Sequence, residues 1–233
     1  MATATSLTGL TTLSLREQAA RAIRKGIMTG EITAGDMYSV PALSVRLGVS
    51  ATPVREAMLD LVNEGLVVPV RNRGFRVVSL GVKDHEDILK LRLLLEVPSM
   101  GDIAESHGDE DLSRFQELAE QTQEHVRAGD LDAYLDADRE FHLGLLGLLD
   151  SPRLVDIVGM LRNQSRLYDV GKLAETGQLL ENAREHSAII AAIASRDRRR
   201  TEDVMRGHLL RTRKGWSGDG DHPSLRRQQL AAG

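Results

Sequence analysis

The hydrophobic positions of this 233-residue chain follow two regimes. Up to about residue 80, short helical periods give way to two strand-like runs; beyond it the period is helical throughout. Ser14 with Glu17 three residues on has the form of a capping box, so a helix is predicted from there to about Met28. Its apolar stripe is Ala19, Ala22, Ile23, Ile27 and Met28, and Gly30 and Gly35 mark the following turn. A second helix is predicted over 39–47, with Val40, Leu43 and Leu47 facing inward and Gly48 as its stop. A third starts after Ser50, a natural N-cap, with Pro53 in its first turn, where a missing N–H costs nothing. Val54, Ala57, Met58, Leu61 and Val62 follow the i, i+3, i+4, i+7, i+8 rule, and Gly65 ends the run. Strands are predicted over 66–70 and 75–80, around the turn Arg71-Asn72-Arg73-Gly74.

Three short helices and a basic-tipped hairpin make a winged helix-turn-helix over residues 14–80. Burying the apolar side of the third helix leaves Ala51, Thr52 and Arg55 exposed near its N-terminus, the end that enters the major groove in such folds. Arg55 can reach guanine or a phosphate, and Thr52 a phosphate. Arg71 and Arg73, beside Gly74 on the wing tip, can reach the backbone or the minor groove. Charge agrees in sign: residues 1–80 hold nine Lys/Arg against six Asp/Glu, whereas residues 81–233 hold 21 against 28.

From Asp84 to about residue 214 no strand pattern occurs, and helices are predicted over 84–106, 109–128, 130–149, 152–169, 175–195 and 199–214. The fold class is therefore mainly α, a winged head followed by an all-helical antiparallel bundle. Residues 1–13 and 215–233 read as flexible tails. Leu131, Leu135, Asp138, His142, Leu145 and Leu149 share one helical face, which puts an acid and a histidine one turn apart inside an apolar stripe. A buried carboxylate is costly unless paired or bound to a cation, and residues at i and i+4 can reach one ion. His186 lies among Ala183, Ile189, Ile190 and Ile193, and His208 beside Val204 and Leu209. One Asp and three His suit Zn²⁺, Ni²⁺ or Mn²⁺, with positions left for water or ligand; each histidine alone also fits an ordinary interior role. His85, His107, His125 and His222 have no such context and read as surface residues.

The chain has no cysteine, which removes disulfides and thiolate chemistry. No apolar run approaches the length of a membrane span and the N-terminus has no signal-peptide pattern, so a cytoplasmic protein is expected.

The run Leu47-Gly-Val-Ser-Ala-Thr-Pro-Val-Arg-Glu-Ala-Met-Leu59, with Glu64-Gly-Leu66 and Arg71-Asn-Arg-Gly74, resembles the DNA-binding domain of the GntR family of bacterial regulators. Two departures stand out: Ala51 occupies a place usually held by arginine, and Val40-Pro41-Ala42 replaces a frequent acidic-Arg-acidic run. Asp138-x-x-x-His142, His186 and then His208 is similar to the metal-binding FCD domain of the FadR-type branch, whose six-helix VanR-like variant has the helix number predicted here. The resemblance implies Asp138, His142, His186 and His208 as ligands of a divalent metal. It also implies a homodimer on a palindromic double-stranded operator, and control by a small organic acid. Arg92, where the family often has an inward arginine, and Arg166 are candidate carboxylate partners, whereas Glu96 reads as structural. The expected function is a ligand-controlled repressor; a metal-dependent enzyme, or a regulator with a purely structural metal, are the alternatives.

Overall fold

A computed structural model describes residues 13–106, 112–166, 173–174 and 176–212. The expected tails, apart from Leu13, and His107 and His222 lie outside the described residues.

The head begins with α1 (Leu15–Met28), capped reciprocally by Ser14 and Glu17. Its buried face carries Ala19, Ala20, Ile23 and Ile27; Ala22, expected in the stripe, is exposed, because Ala20 takes its place against the third helix. Helix α2 (Val40–Leu47) starts at Ser39, whose side chain accepts from Ala42 N–H. It ends on Gly48 at φ 68°, a left-handed cap that favours glycine. Helix α3 (Ala51–Asn63) buries Val54, Ala57, Met58 and Leu61 against α1 and α2. Ser50 starts it without making a side-chain cap bond.

The wing differs from the expected hairpin in two ways. A short strand β1 (Met37–Tyr38) joins β2 (Val67–Val70) and β3 (Gly74–Val77) in the antiparallel order β1-β3-β2, with Tyr38 opposite Phe75 and Val70 opposite Gly74. The last strand also stops at Val77 rather than at residue 80, because the chain turns toward the next helix. At φ 114°, a side chain on Gly74 would collide with the Tyr38 carbonyl oxygen, so Gly74 lets β1 close on the wing.

The body contains α4 (Val82–Ser106), α5 (Ser113–Ala128), α6 (Leu131–Gly147), α7 (Pro152–Arg166), α8 (Gln178–Ala194) and α9 (Arg198–Thr212). Helix α4 lies against α7 and α9, and α5 against α6 and α8. Met100, Ile103, Phe141, Leu145, Leu146 and Ile189 form the centre of the core, each excluded from solvent. His85 corrects an expectation: it is buried, since it falls one turn before Ile88 and Leu89 and two before Arg92 on the inward stripe of α4. His125 is half-buried near the end of α5.

Head and body meet along α1 and α6. Arg21 donates to Asp136 at 2.8 Å and Lys25 lies 3.7 Å from Asp132, while Met28 packs against the Tyr134–Leu135–Leu179 cluster. Gln164 of α7 adds a bond to the Gly65 carbonyl at 3.3 Å.

Candidate metal centre and nucleic-acid interface

Three helices deliver the polar residues that the apolar stripes predict. Asp138 and His142 come from α6, His186 from α8 and His208 from α9, all buried. Ring nitrogens of the three histidines lie within 4.8 Å of one another. Asp138 Oδ1 lies 3.4 Å from His186 Nε2 and 3.9 Å from His142 Nε2, so the carboxylate stands beside the three-histidine group on the side of these two rings.

Outer contacts fix how the rings face. Thr122 of α5 uses its hydroxyl hydrogen on the Ala119 carbonyl at 2.8 Å, so its oxygen can only accept from His186 Nδ1 at 3.0 Å. His208 Nδ1 lies 2.9 Å from Glu185 Oε2, a carboxylate that also receives Arg211. Both imidazoles thus carry their proton on Nδ1 and leave the Nε2 lone pair for the centre, the tautomer a metal requires. His142 Nε2 stands 3.3 Å from His186 Nε2, and His142 Nδ1 is buried with no hydrogen-bond partner. Nitrogen lone pairs facing one another in a dry interior are unfavourable without a proton or cation between them. This donor set fits a divalent ion with nitrogen and carboxylate preferences.

Burial pushes the His142 pKa well below the usual imidazole value, and Arg162 and His186 act in the same direction. His208 is lowered to about 4, chiefly by burial, against an upward pull from Glu185. These rings are therefore neutral near pH 7, the form that binds metal.

Arg162 of α7 is the functional residue that sequence reasoning missed. It is buried, donates from Nη2 to Asp138 Oδ2 at 2.8 Å and from Nη1 to Glu96 Oε2 at 2.8 Å. Arg92 donates to Glu96 at 2.6 Å and to the Ser165 hydroxyl at 3.2 Å. Desolvation alone would raise the Glu96 pKa, but Arg92 and Arg162 outweigh it and hold the carboxyl below its usual value. Glu96 ties α4 to α7, as its sequence context suggests. The signal for Arg162 was present: it falls at the inward period of Val155, Val158 and Ser165. Arg166 ends α7 one turn later, and its side chain lies outside the described residues. Thr122, Tyr134 (whose hydroxyl donates to Asp138 at 3.3 Å) and Glu185 also escaped notice; only Glu185, next to His186, had a recognisable position.

On the head, Thr52 and Arg55 are exposed on the first turns of α3, and Arg71 and Arg73 are exposed at the wing tip. Asn72 between them takes φ 59°, turning both arginines outward from β2 and β3. Gly74 is partly covered by β1, so its place in the motif has a backbone cause.

The fold and geometry agree with comparisons to known proteins. Residues 15–77 match the family described as bacterial regulatory proteins, gntR family, and residues 87–211 match the FCD domain. The chain belongs to the GntR family, in the branch that carries an FCD domain, and is a DNA-binding transcriptional regulator rather than an enzyme. The HTH-type transcriptional regulator McbR of Escherichia coli K12 is 26% identical over 188 residues, 80% of this chain and 85% of McbR. The HTH-type transcriptional repressor GlaR of the same organism is 26% identical over 198 residues, 82% and 90% of the two chains. Among solved structures, E. coli McbR/YncC has a TM-score of 0.68 at 23% identity, covering 94% of this chain and 100% of that one. A GntR regulator from Rhodococcus sp. RHA1 has a TM-score of 0.64 at 22% identity, covering 88% and 98%. FCD domains are associated with metal binding, and among the described residues no helix is long and apolar enough to cross a membrane.

Proposed function

We propose that this regulator is a homodimeric repressor whose operator affinity is set by a small organic acid at a divalent metal centre formed by Asp138, His142, His186 and His208. The observation that carries this reading is the charge balance of the buried cluster. Asp138 and Glu96 are already matched by Arg162 and Arg92, and His142 and His208 are neutral. A bound Zn²⁺, Ni²⁺ or Mn²⁺ therefore brings uncompensated positive charge, which an anionic ligand at an open coordination position neutralises. A carboxylate there is the chemistry that fits, with Arg92 and Arg166 as its guanidinium partners. When bound, the ion would act as the Lewis-acidic anchor for that carboxylate.

The route to DNA is short. Helix α6 carries Asp138 and His142 on its buried side, and Asp132 and Asp136, which hold α1 of the head, on the other. A shift of α6 that accommodates the ligand moves the contact on which the head is seated. Exposed Leu91 and Leu94 on α4 and Ile157 on the adjoining α7 supply an apolar face for a second copy. Pairing places two heads on a palindromic operator, with Thr52 and Arg55 of each in the major groove and the Arg71–Arg73 wing tip on the backbone.

The test uses a duplex selected from a random pool by the full-length protein, followed by fluorescence anisotropy. Metal-loaded protein should release the duplex when the correct member of a hydroxy-acid and sugar-acid panel is added, and chelator-treated protein should not respond. An equal response in both overturns the assignment of the effector to this centre. The same panel, scored for turnover, addresses the enzyme alternative: unchanged acids agree with regulation alone.

A further inference from the structure

A cavity of about 180 Å³ lies between head and body, beside the N-terminal half of α6. Met28, Leu66 and Leu135 line it with hydrocarbon. Its charged rim is nearly all paired. Arg24 donates to both oxygens of Glu64, at 3.1 and 2.7 Å, and Asp136 receives Arg21 at 2.8 Å. Arg139 is the exception: its one hydrogen bond runs from Nη1 to Asn163 Oδ1 at 3.0 Å, a neutral acceptor, and no carboxylate of the described residues lies within 4.0 Å. The guanidinium is nevertheless held in place. It lies across α7 over Gly159, where a side-chain carbon would meet both of its terminal nitrogens at 3.7 Å. The cavity thus offers one uncompensated cation, with donors to spare, at the edge of an apolar floor.

We propose that this cleft is a second ligand site, for a small amphiphilic carboxylate, with Arg139 binding the carboxylate and Met28, Leu66 and Leu135 receiving the apolar part. A planar guanidinium matches a carboxylate bidentately, and an apolar floor beside a few placed polar groups is the usual form of a small-molecule pocket. The occupant touches α1 and Leu66 of the head together with α6 and α7 of the body, so it fixes the head against the body. The site does not depend on the metal reading, because none of its residues belongs to the histidine cluster.

Benzoate is a suitable probe: one carboxylate on a flat apolar body. Saturation-transfer NMR and calorimetry on the full-length protein should give a Kd on the order of 1 mM, as expected for so small a ligand. Binding should persist after chelator treatment and fall about tenfold or more in Arg139→Ala, since a charge-assisted pair is lost. Arg139 is exposed, so the variant should keep its circular dichroism and its metal content. Three outcomes overturn the proposal: no binding to wild type, equal binding to Arg139→Ala, or loss of binding on chelation, which would put the carboxylate at the histidines.

Discussion

Arg162 of α7 and Asp138 of α6 meet at 2.8 Å in the interior of the body, and the same guanidinium holds Glu96 of α4 at 2.8 Å. One side chain thus ties three helices and orients the single carboxylate of the candidate metal centre. Removing it leaves two buried anions with fewer partners. Arg162→Met should destabilise the protein by about 3–5 kcal/mol in urea unfolding, the cost of breaking one side of a buried ion pair. Arg162→Lys should rescue it only in part, because an ammonium cannot span both carboxylates as a fork does. A loss below about 1 kcal/mol would show that the pair is not desolvated as its burial indicates.

Thr122 and Glu185 set the tautomers of His186 and His208. Thr122→Val keeps the shape of a buried side chain but removes the acceptor for His186 Nδ1–H. Glu185→Gln keeps an acceptor for His208 but removes its charge. Each should weaken metal binding about 10- to 100-fold, measured by competition with a coloured chelator. Unchanged affinity in both variants would mean the rings are oriented by packing alone.

The neutral, buried histidines make metal-free stability depend on pH. His208 has its pKa lowered from 6.5 to about 4 on folding, so the unfolded chain takes up a proton first as the solution is acidified. This stability is present above about pH 6.5 and is lost as pH falls toward 4, on the order of 3 kcal/mol for this one group. His142, shifted the same way, adds to the slope. Urea midpoints between pH 7.5 and 4.5 check this; a flat profile would contradict it.

On the head, Gly74→Ala should destabilise by more than about 1 kcal/mol, because the left-handed backbone and the Tyr38 carbonyl both exclude a side chain. Thermal melts would show it, and an unchanged melting temperature would argue against β1 closing on the wing.

Arg55→Ala should relax sequence preference on the selected duplex, where direct base contact is worth about 1–3 kcal/mol. Arg71→Ala and Arg73→Ala should instead weaken all sequences alike, each lowering the salt slope by about 1. A specificity change in the wing variants, with none at Arg55, would reverse these roles.

Much of this architecture was legible in the order of polar and apolar residues. The capping box at Ser14, the stripe from Val54 to Leu61 and the acid–histidine pair at Asp138 and His142 are all local patterns, and local patterns survive folding. Strand β1 was not legible, because two residues have no period and their pairing with Phe75 and Arg76 is set by the turn around Gly74. The partners of the histidines were hidden for a related reason. Thr122 and Arg162 reach His186 and Asp138 across 64 and 24 residues of chain, and nothing local distinguishes them from other polar residues on helices. His85 was misjudged as a surface residue although it keeps the period of Ile88, Leu89 and Arg92 within the helix predicted over 84–106, because a polar residue near a helix start reads as solvated.

The metal content of purified full-length protein, by elemental analysis beside His142→Ala, tests the central claim most directly. The account predicts about one divalent ion per chain in wild type and its loss from a variant that keeps its helical circular dichroism. Absence of bound metal from wild type after incubation with zinc, nickel and manganese would contradict it.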